Sequence, residues 1–545
     1  MNRRRLIFSI TLGLTLTVGL LVAFSQSRSS AMTQVDTPRV DNQFNTLAAP
    51  RAQDTVSTAH VVVVFSGEKA AVRPVSWTEP ISRVGALRVA GFSVETSGGA
   101  ICSIDGDGCP ASNCFCADNW WWQGVWNTEA ESWDAPWPLP DPADGDVLGF
   151  RNNTAWGPPA LPARAYTASL KALSWLRGQQ QPNGSFGSAN YTAEVLMAVS
   201  ANSLDASTWR SSPSLLASVL SNGEEFANRN SAGAGKLAVA LAAQESCWPI
   251  GAKKPLSHYD PTSGTFSTDT LYQAWGILGT AAVSDTVPIS AVESLKENQQ
   301  PNGGWELFAG FGADTNSTAL AIEALISAGE PVTSTSIVSG LNYLENAQNA
   351  DGGFPYSPDS PYGTDSDTNS TAYVIQALFA AGEDPLSGQW AISETNPISY
   401  LLSMQLPNGS FEWQDGYGAD QIATQQAIPA LLHRSFPMMV DDLESCYGIS
   451  GQVVGGIEGA ETGLKDVAVE AEGADDLFSG STDATGTYTL SVPSSGPYTL
   501  KPSKEGFTFS PTLRTTEVGG APGEVSHIPQ FKGETRVYLP LIIRY

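Results

Sequence analysis

Gln300-Pro301-Asn302-Gly303-Gly304-Trp305 is the stretch on which the fold is decided. It returns as Gln181-Pro182-Asn183-Gly184-Ser185-Phe186, as Asn349-Ala350-Asp351-Gly352-Gly353-Phe354 and as Leu406-Pro407-Asn408-Gly409-Ser410-Phe411, with a weaker copy at Thr262-Ser263-Gly264-Thr265-Phe266. Self-similarity at a fixed period is the signature of a repeat architecture. The interval from Phe186 to Phe266 is about twice the interval from Phe266 to Trp305, so a degenerate turn is expected at Gly223-Glu224-Glu225-Phe226, and six units result. Pro-Asn-Gly and Asp-Gly-Gly supply the positive φ needed after a helix, and the aromatic packs back between units. Helical runs precede the turns, as in Ala172–Leu176 and Gly340–Leu344. Other helical runs follow them, as in Ala319–Leu325 and Ala372–Leu378, and these are small and apolar on most faces, the mark of a helix buried all round. Alternating outer and inner helices of this kind predict an (α/α)6 toroid over residues 161–440.

These turns resemble the Gln…Gly…Trp repeat of squalene–hopene cyclases and prenyltransferases. The resemblance implies the toroid but not the activity, because function resides in a site. The acid motif of class II cyclases, Asp-x-Asp-Asp, has its nearest match at Asp365-Ser366-Asp367-Thr368, where the final Asp is missing. The zinc site of prenyltransferases needs a Cys/His/Asp set, and the repeats hold only Cys247, His258 and His433, without that spacing. Enzymatic activity is therefore left undecided, leaning against. A polysaccharide lyase or hydrolase stays open if two of Asp314, Asp367 and Asp420 face each other across a cavity.

A second recurrent element opens the inner helices: Asp269, Asp314, Asp367 and Asp420, with Asn230 in the equivalent place in the second unit. An N-cap carboxylate accepting orphan backbone N–H groups explains them structurally. All these helices start at one rim of the toroid, so the same residues also ring its mouth. Asp269, Asp314, Asn316, Asp367, Asn369, Asp420 and Gln425 are the candidate rim contacts to a polar ligand.

Outward from the repeats, residues 59–160 predict a small mixed β domain. Val61–Phe65 is a strand, Val84–Gly91 a short helix, and Ile101–Gly106 a hairpin arm turning at Asp-Gly. Cys102, Cys109, Cys114 and Cys116 either bind zinc or form two disulfides, with three connectivities open. Cys247 and Cys446 are a candidate third bridge. Trp120-Trp121-Trp122, Trp126, Trp133 and Trp137 cannot all face one way along a strand, which makes Trp120, Trp122 and Trp126 candidate ligand contacts. This arrangement resembles the small β domain of transcobalamin-like vitamin B12 carriers, which pair such a domain with a toroid, here in reversed order. The resemblance implies a small-molecule binder, with a cobalamin-like corrinoid held between the two domains and His258 as a cobalt ligand. No other cofactor is required.

Residues 447–533 alternate at period two in short strands and predict a β-sandwich. The order Ser-Gly…Gly-Leu-x-x-Val-x-Val…Thr-Asp-x-x-Gly-x-Tyr…Gly-Pro-Tyr-Thr-Leu resembles the carboxypeptidase regulatory-like module, which implies a spacer. The chain thus reads as a multidomain α and β protein.

At the N-terminus, Arg3-Arg4-Arg5, an apolar run from Leu6 to Phe24 and Ser29-Ser30-Ala31 read as an export signal over 1–31. Residues 32–58 read as a linker. The apolar tail at 534–545 is too short to span a bilayer and resembles the tails of exported Chloroflexi-type bacterial proteins. Export places the chain outside the cell or on its surface, with a possible envelope association, and makes disulfides permissible. Of its 545 residues, 55 are Asp or Glu against 28 Lys or Arg, a net charge of −27 that argues against nucleic-acid partners. A monomer is expected. The live readings are an exported ligand-binding protein, a terpene cyclase-like or lyase-like enzyme, and a non-catalytic surface scaffold.

Overall fold

The computed structural model describes residues 56–535 except 117–119, 154–155, 210–212, 362, 439–442, 457–459 and 475. The export signal, nearly all of the linker and the tail from 536 onward lie outside the described residues.

The N-terminal part is built on β1 (Ser57–Val64), β2 (Ala70–Trp77), α1 (Arg83–Val89), β3 (Val94–Ser97), β4 (Ala100–Ile104), β5 (Asp107–Gly108), β6 (Trp120–Asn127), β7 (Ser132–Asp134) and β8 (Val147–Asn153). Its main sheet runs β2-β1-β8-β6-β7, with β1 and β8 parallel and the other pairs antiparallel. The β-branched run Val61-Val62-Val63-Val64 is buried on both faces, as a central strand must be. Val61 and Val63 meet Leu87 of α1 and Trp121 in one core, whereas Val62 and Val64 belong to the core of the helices that follow. Cys102 pairs with Cys114 and Cys109 with Cys116, which selects one of the three connectivities.

Helices α2 (Ala163–Gln179), α3 (Ala189–Ala201), α4 (Leu215–Arg229), α5 (Ser231–Ala242), α6 (Thr270–Ala282), α7 (Ile289–Glu297), α8 (Thr315–Ser327), α9 (Thr335–Ala347), α10 (Thr368–Ala381), α11 (Pro397–Ser403) and α12 (Gln421–Leu431) follow, with two-residue strands β9 (Trp305–Glu306), β10 (Ala313–Asp314), β11 (Phe411–Glu412) and β12 (Ala419–Asp420) between them. Six helices form a closed cycle: α3 packs on α5, α5 on α6, α6 on α8, α8 on α10, α10 on α12, and α12 back on α3. They are buried along nearly their whole length, while α4 and α9 bury one face only. Each turn glycine both takes positive φ and lets the chain touch the next unit. A Cβ on Gly303 would lie 2.3 Å from the Ser339 carbonyl oxygen, and one on Gly409 would lie 2.5 Å from that of Lys171.

Two units depart from the expected pattern. Gly223-Glu224-Glu225-Phe226 is not a turn but the interior of α4, which runs on to Arg229. Asn230 alone then ends α4 and caps α5, its side chain accepting from the Gly233 N–H at 2.9 Å. The third unit has a single 3-10 turn, Pro255–His258, in place of an outer helix.

The C-terminal part carries β13 (Tyr447–Gly455), β14 (Thr462–Gly463), β15 (Ala468–Glu472), β16 (Leu477–Ser481), β17 (Thr487–Val492), β18 (Gly496–Ser503), β19 (Phe507–Ser510), β20 (Arg514–Val518), β21 (Val525–His527) and β22 (Phe531–Thr535). One sheet is organised around β13 and the other runs β16-β15-β18-β20. Alternate residues such as Val469, Ala471, Tyr498 and Leu500 point into a shared core.

Both β parts are fastened to the helices. Asn202, at the end of α3, donates to and accepts from the backbone of Val72, and Arg73 donates to the Asn202 and Ser203 carbonyls. Toward the C-terminal part, Ser214 donates its N–H to Asp476, Ser479 donates its N–H to Ser221, and Cys247 is bridged to Cys446.

Candidate functional site

The rim aspartates start as local structure. Asp314, Asp367 and Asp420 cap α8, α10 and α12, accepting from the N–H groups of Ser317, Ser370 and Ala423 at 2.7, 2.8 and 2.7 Å. Asp269 occupies the same position on α6 without a side-chain cap bond. Burial pushes the carboxyls of Asp314 and Asp367 up to about 6, against the opposing pull of the Ser317 and Ser370 hydrogen bonds. Asn316 sits half-buried one residue into α8, and Asn369 donates to Gln426 at 2.7 Å. Asp314, Asp367 and Asp420 thus serve their own helices, and Asp314 is also hydrogen-bonded to the Tyr356 side chain.

Below the rim, the interior of the cycle is polar but filled. Glu194 of α3 forms a buried ion pair with Lys236 of α5. Lys236 also donates to Asn190 at 2.9 Å, and its ammonium lies 5.1 Å from the Trp275 ring centre. Glu194 accepts from Gln425 at 2.7 Å and Gln426 at 3.1 Å. Burial alone raises the Glu194 pKa, but Lys236 and the two amides outweigh it and hold the carboxyl below its ordinary value. On the far side Phe436, from the segment after α12, reaches in against Trp275 with ring centres 5.2 Å apart, and its N–H donates to Glu323 at 2.8 Å. What is left between Glu194, Trp275, Tyr373 and Phe436 is a cavity of about 10 Å³, room for roughly one water molecule.

Glu323 is fully buried on α8 with no ion-pair partner among the described residues, and burial pushes its carboxyl up to about 8. A carboxyl raised in the folded state stabilises the fold below its unfolded pKa, and the contribution is lost as pH rises through the folded value. Asp314 and Asp367 act in the same direction, while Glu194 acts oppositely on the acid side. The melting temperature is therefore expected to fall by several degrees between about pH 5 and pH 8. Glu323→Gln is expected to remove most of that fall; a wild-type slope in the variant, read by differential scanning calorimetry, would contradict the assignment.

The other candidates scatter. Trp122 is buried and Trp126 half-buried, both edge-on to Trp133 at 6.4 and 5.3 Å, whereas Trp120 is exposed beside Phe115. Trp133 donates to the Leu161 carbonyl and so belongs to the junction with the helices. An open cleft of about 340 Å³ runs past Trp126, Trp133 and Pro159, while Val62, Val64, Val72 and Tyr166 are buried in the core shared with the helices. His258 places Nε2 2.8 Å from the Ala227 carbonyl oxygen, so that nitrogen is engaged by the backbone of α4. Among the described residues, no group of three or more His, Cys, Asp or Glu could hold a metal ion. Glu194, Lys236, Glu323 and Phe436 were not singled out from the sequence. The available signal was a single charge in the middle of an otherwise small and apolar helix.

Residues 255–434 match the squalene–hopene cyclase C-terminal domain family. Among solved structures, the ligand-free type II terpene cyclase MstE from Scytonema is similar at 14% identity, covering 51% of this chain and 99% of that one, with a TM-score of 0.37. ent-Copalyl diphosphate synthase from Streptomyces platensis is similar at 20% identity over 45% of this chain and 49% of that one, with a TM-score of 0.32. Protein geranylgeranyltransferase-I from Candida albicans is similar at 18% identity over 30% of this chain and 48% of that one, with a TM-score of 0.25. No curated protein matches. The chain is a mixed α and β protein whose residues 255–434 are similar to the squalene–hopene cyclase C-terminal domain.

Proposed function

We propose that the chain is a non-catalytic scaffold of the cell exterior. In this reading a terpene cyclase-like (α/α)6 toroid holds a transcobalamin-like β domain on one side and a carboxypeptidase regulatory-like β-sandwich on the other. The observation that carries the reading is the filled interior. Small-molecule sites enclose about 300–1,000 Å³, and the cavity left between Glu194, Trp275, Tyr373 and Phe436 is about 10 Å³. A polyene has no room there, and neither has a sugar between Asp314, Asp367 and Asp420. The cleft at the junction, past Trp126 and Trp133, is open and about 340 Å³, and no observation supports a corrinoid in it. The backbone bonds to Asn202 and Ser214 and the Cys247–Cys446 bridge support a rigid mount.

A second reading, a cyclase-like enzyme, is favoured by the family match over residues 255–434 and by Asp367, a buried acid raised to about 6. One assay separates the two. The purified full chain is incubated with squalene and, separately, with geranylgeranyl diphosphate, and extracts are analysed by gas chromatography and mass spectrometry. Both substrates are expected back unchanged. A cyclised product that disappears in Asp367→Asn would overturn the scaffold reading.

A further inference from the structure

The rim of the helical cycle carries a feature that neither the fold nor the filled interior uses. Between β9 and β10 the chain reads Glu306-Leu307-Phe308-Ala309-Gly310-Phe311-Gly312, and between β11 and β12 it reads Glu412-Trp413-Gln414-Asp415-Gly416-Tyr417-Gly418. The two loops are built alike. Gly310 and Gly312 take positive φ and both donate their N–H groups to the Glu306 carboxylate, at 2.7 and 3.1 Å. Gly416 and Gly418 do the same to Glu412, at 3.2 and 2.6 Å. The residue held between each pair of glycines is an aromatic turned to solvent, Phe311 at 63% exposure and Tyr417 at 71%. A single exposed aromatic needs no explanation. Two presented by the same pinned loop are part of a built surface.

The row continues across neighbours. Trp413 is exposed and packs edge-on to Tyr417 at 5.2 Å. Tyr356 is exposed on the loop between them, whose backbone accepts from Thr315, while Trp413 accepts from Thr368. Three consecutive units therefore each carry an exposed aromatic on a loop at this rim, and the Tyr356 side chain is hydrogen-bonded to Asp314.

Charge selects the guest. No Lys or Arg occurs between Lys296 and Arg434. Asp359 and Asp365 on the Tyr356 loop and Asp415 on the Tyr417 loop are exposed and enter no ion pair among the described residues. Aromatic faces attract cations through their quadrupole, and a guanidinium both stacks on rings and pairs with carboxylates. A neutral glycan would use the rings and leave the carboxylates idle. We propose that this rim binds a basic, arginine-bearing segment of a polypeptide. The surface lies outside the interior, so the inference stands whether or not the helical domain is catalytic.

The test is fluorescence anisotropy on the full chain with fluorescein-labelled octa-arginine, with octa-lysine of equal charge and a labelled cellohexaose as comparisons. Octa-arginine is expected to bind more tightly than octa-lysine. The combined variant Phe311→Ser, Trp413→Ser and Tyr417→Ser keeps the net charge and is expected to weaken octa-arginine binding about tenfold or more, with the melting temperature unchanged. Asp359→Asn, Asp365→Asn and Asp415→Asn together are expected to weaken it as well. Unaltered binding in the serine variant would mean generic attraction to an acidic protein and would overturn the proposal. So would a cellohexaose affinity that the serine variant loses while octa-arginine binding persists.

Discussion

Lys236→Met is expected to destabilise the protein by about 3–5 kcal/mol, because it leaves a buried carboxylate without its cation. The neighbourhood admits little relief. Glu194 and Lys236 are both buried, and the partners remaining to Glu194 are Asn190 on its own helix and the amides of Gln425 and Gln426. Those amides belong to α12, the helix that closes the cycle onto α3, so the unpaired charge is felt where the first and last units meet. Losing the ammonium also removes the cation from the face of Trp275. The paired variant Lys236→Met with Glu194→Leu is expected to recover most of the loss, since replacing both members of a buried pair with apolar groups is often neutral or better. Chemical denaturation of the single and double variants measures both. A single variant within about 1 kcal/mol of wild type would show that the pair is hydrated and not buried.

Gly235→Ala is expected to cost about 3 kcal/mol, the upper end of overpacking losses. A Cβ at Gly235 would lie 1.9 Å from the Trp275 carbonyl oxygen, and one at Gly279 would lie 2.3 Å from the Gly235 Cα. α5 and α6 therefore touch backbone to backbone, and no rotamer change can relieve an added methyl. In a ring, spreading one pair of helices must be absorbed by the others. Gly178→Ala, in the last turn of α2 with nothing within 4 Å, provides the contrast. It is expected to be neutral or to stabilise by up to about 1 kcal/mol through helix propensity. Equal melting temperatures for the two alanine variants would refute the backbone contact.

The repeat was legible because its chemistry is local. A positive-φ glycine and a following aromatic at Trp305 or Phe354 announce the turn within six residues, and the capping roles of Asp314, Asp367 and Asp420 need only the start of their own helices. The second unit was misplaced because spacing alone located it. Gly223 lies against the Pro249 ring in the middle of α4, and a glycine required by a close contact looks the same in sequence as one required by a turn. In the third unit a single 3-10 turn, Pro255–His258, is all that forms in place of the outer helix. The interior could not be read in advance. Glu194 finds Lys236 across two helices and Gln425 from the far end of the domain, and Phe436 comes from a segment with no periodicity at all. The cysteine pairing was equally non-local, as the sequence leaves Cys102 free to choose among three partners.

The bond between Asn202 and Val72 has a consequence for how such molecules coexist. β2 is the outermost strand of its sheet, and an outermost strand is a template for pairing with a second chain. Asn202 offers Val72 both an acceptor and a donor, and so imitates the neighbour that strand lacks, while Arg73 folds back onto the same helix end. One amide side chain thereby withdraws part of the strand's backbone from intermolecular zippering. At high local density, that leaves copies of the chain fewer places at which to fuse.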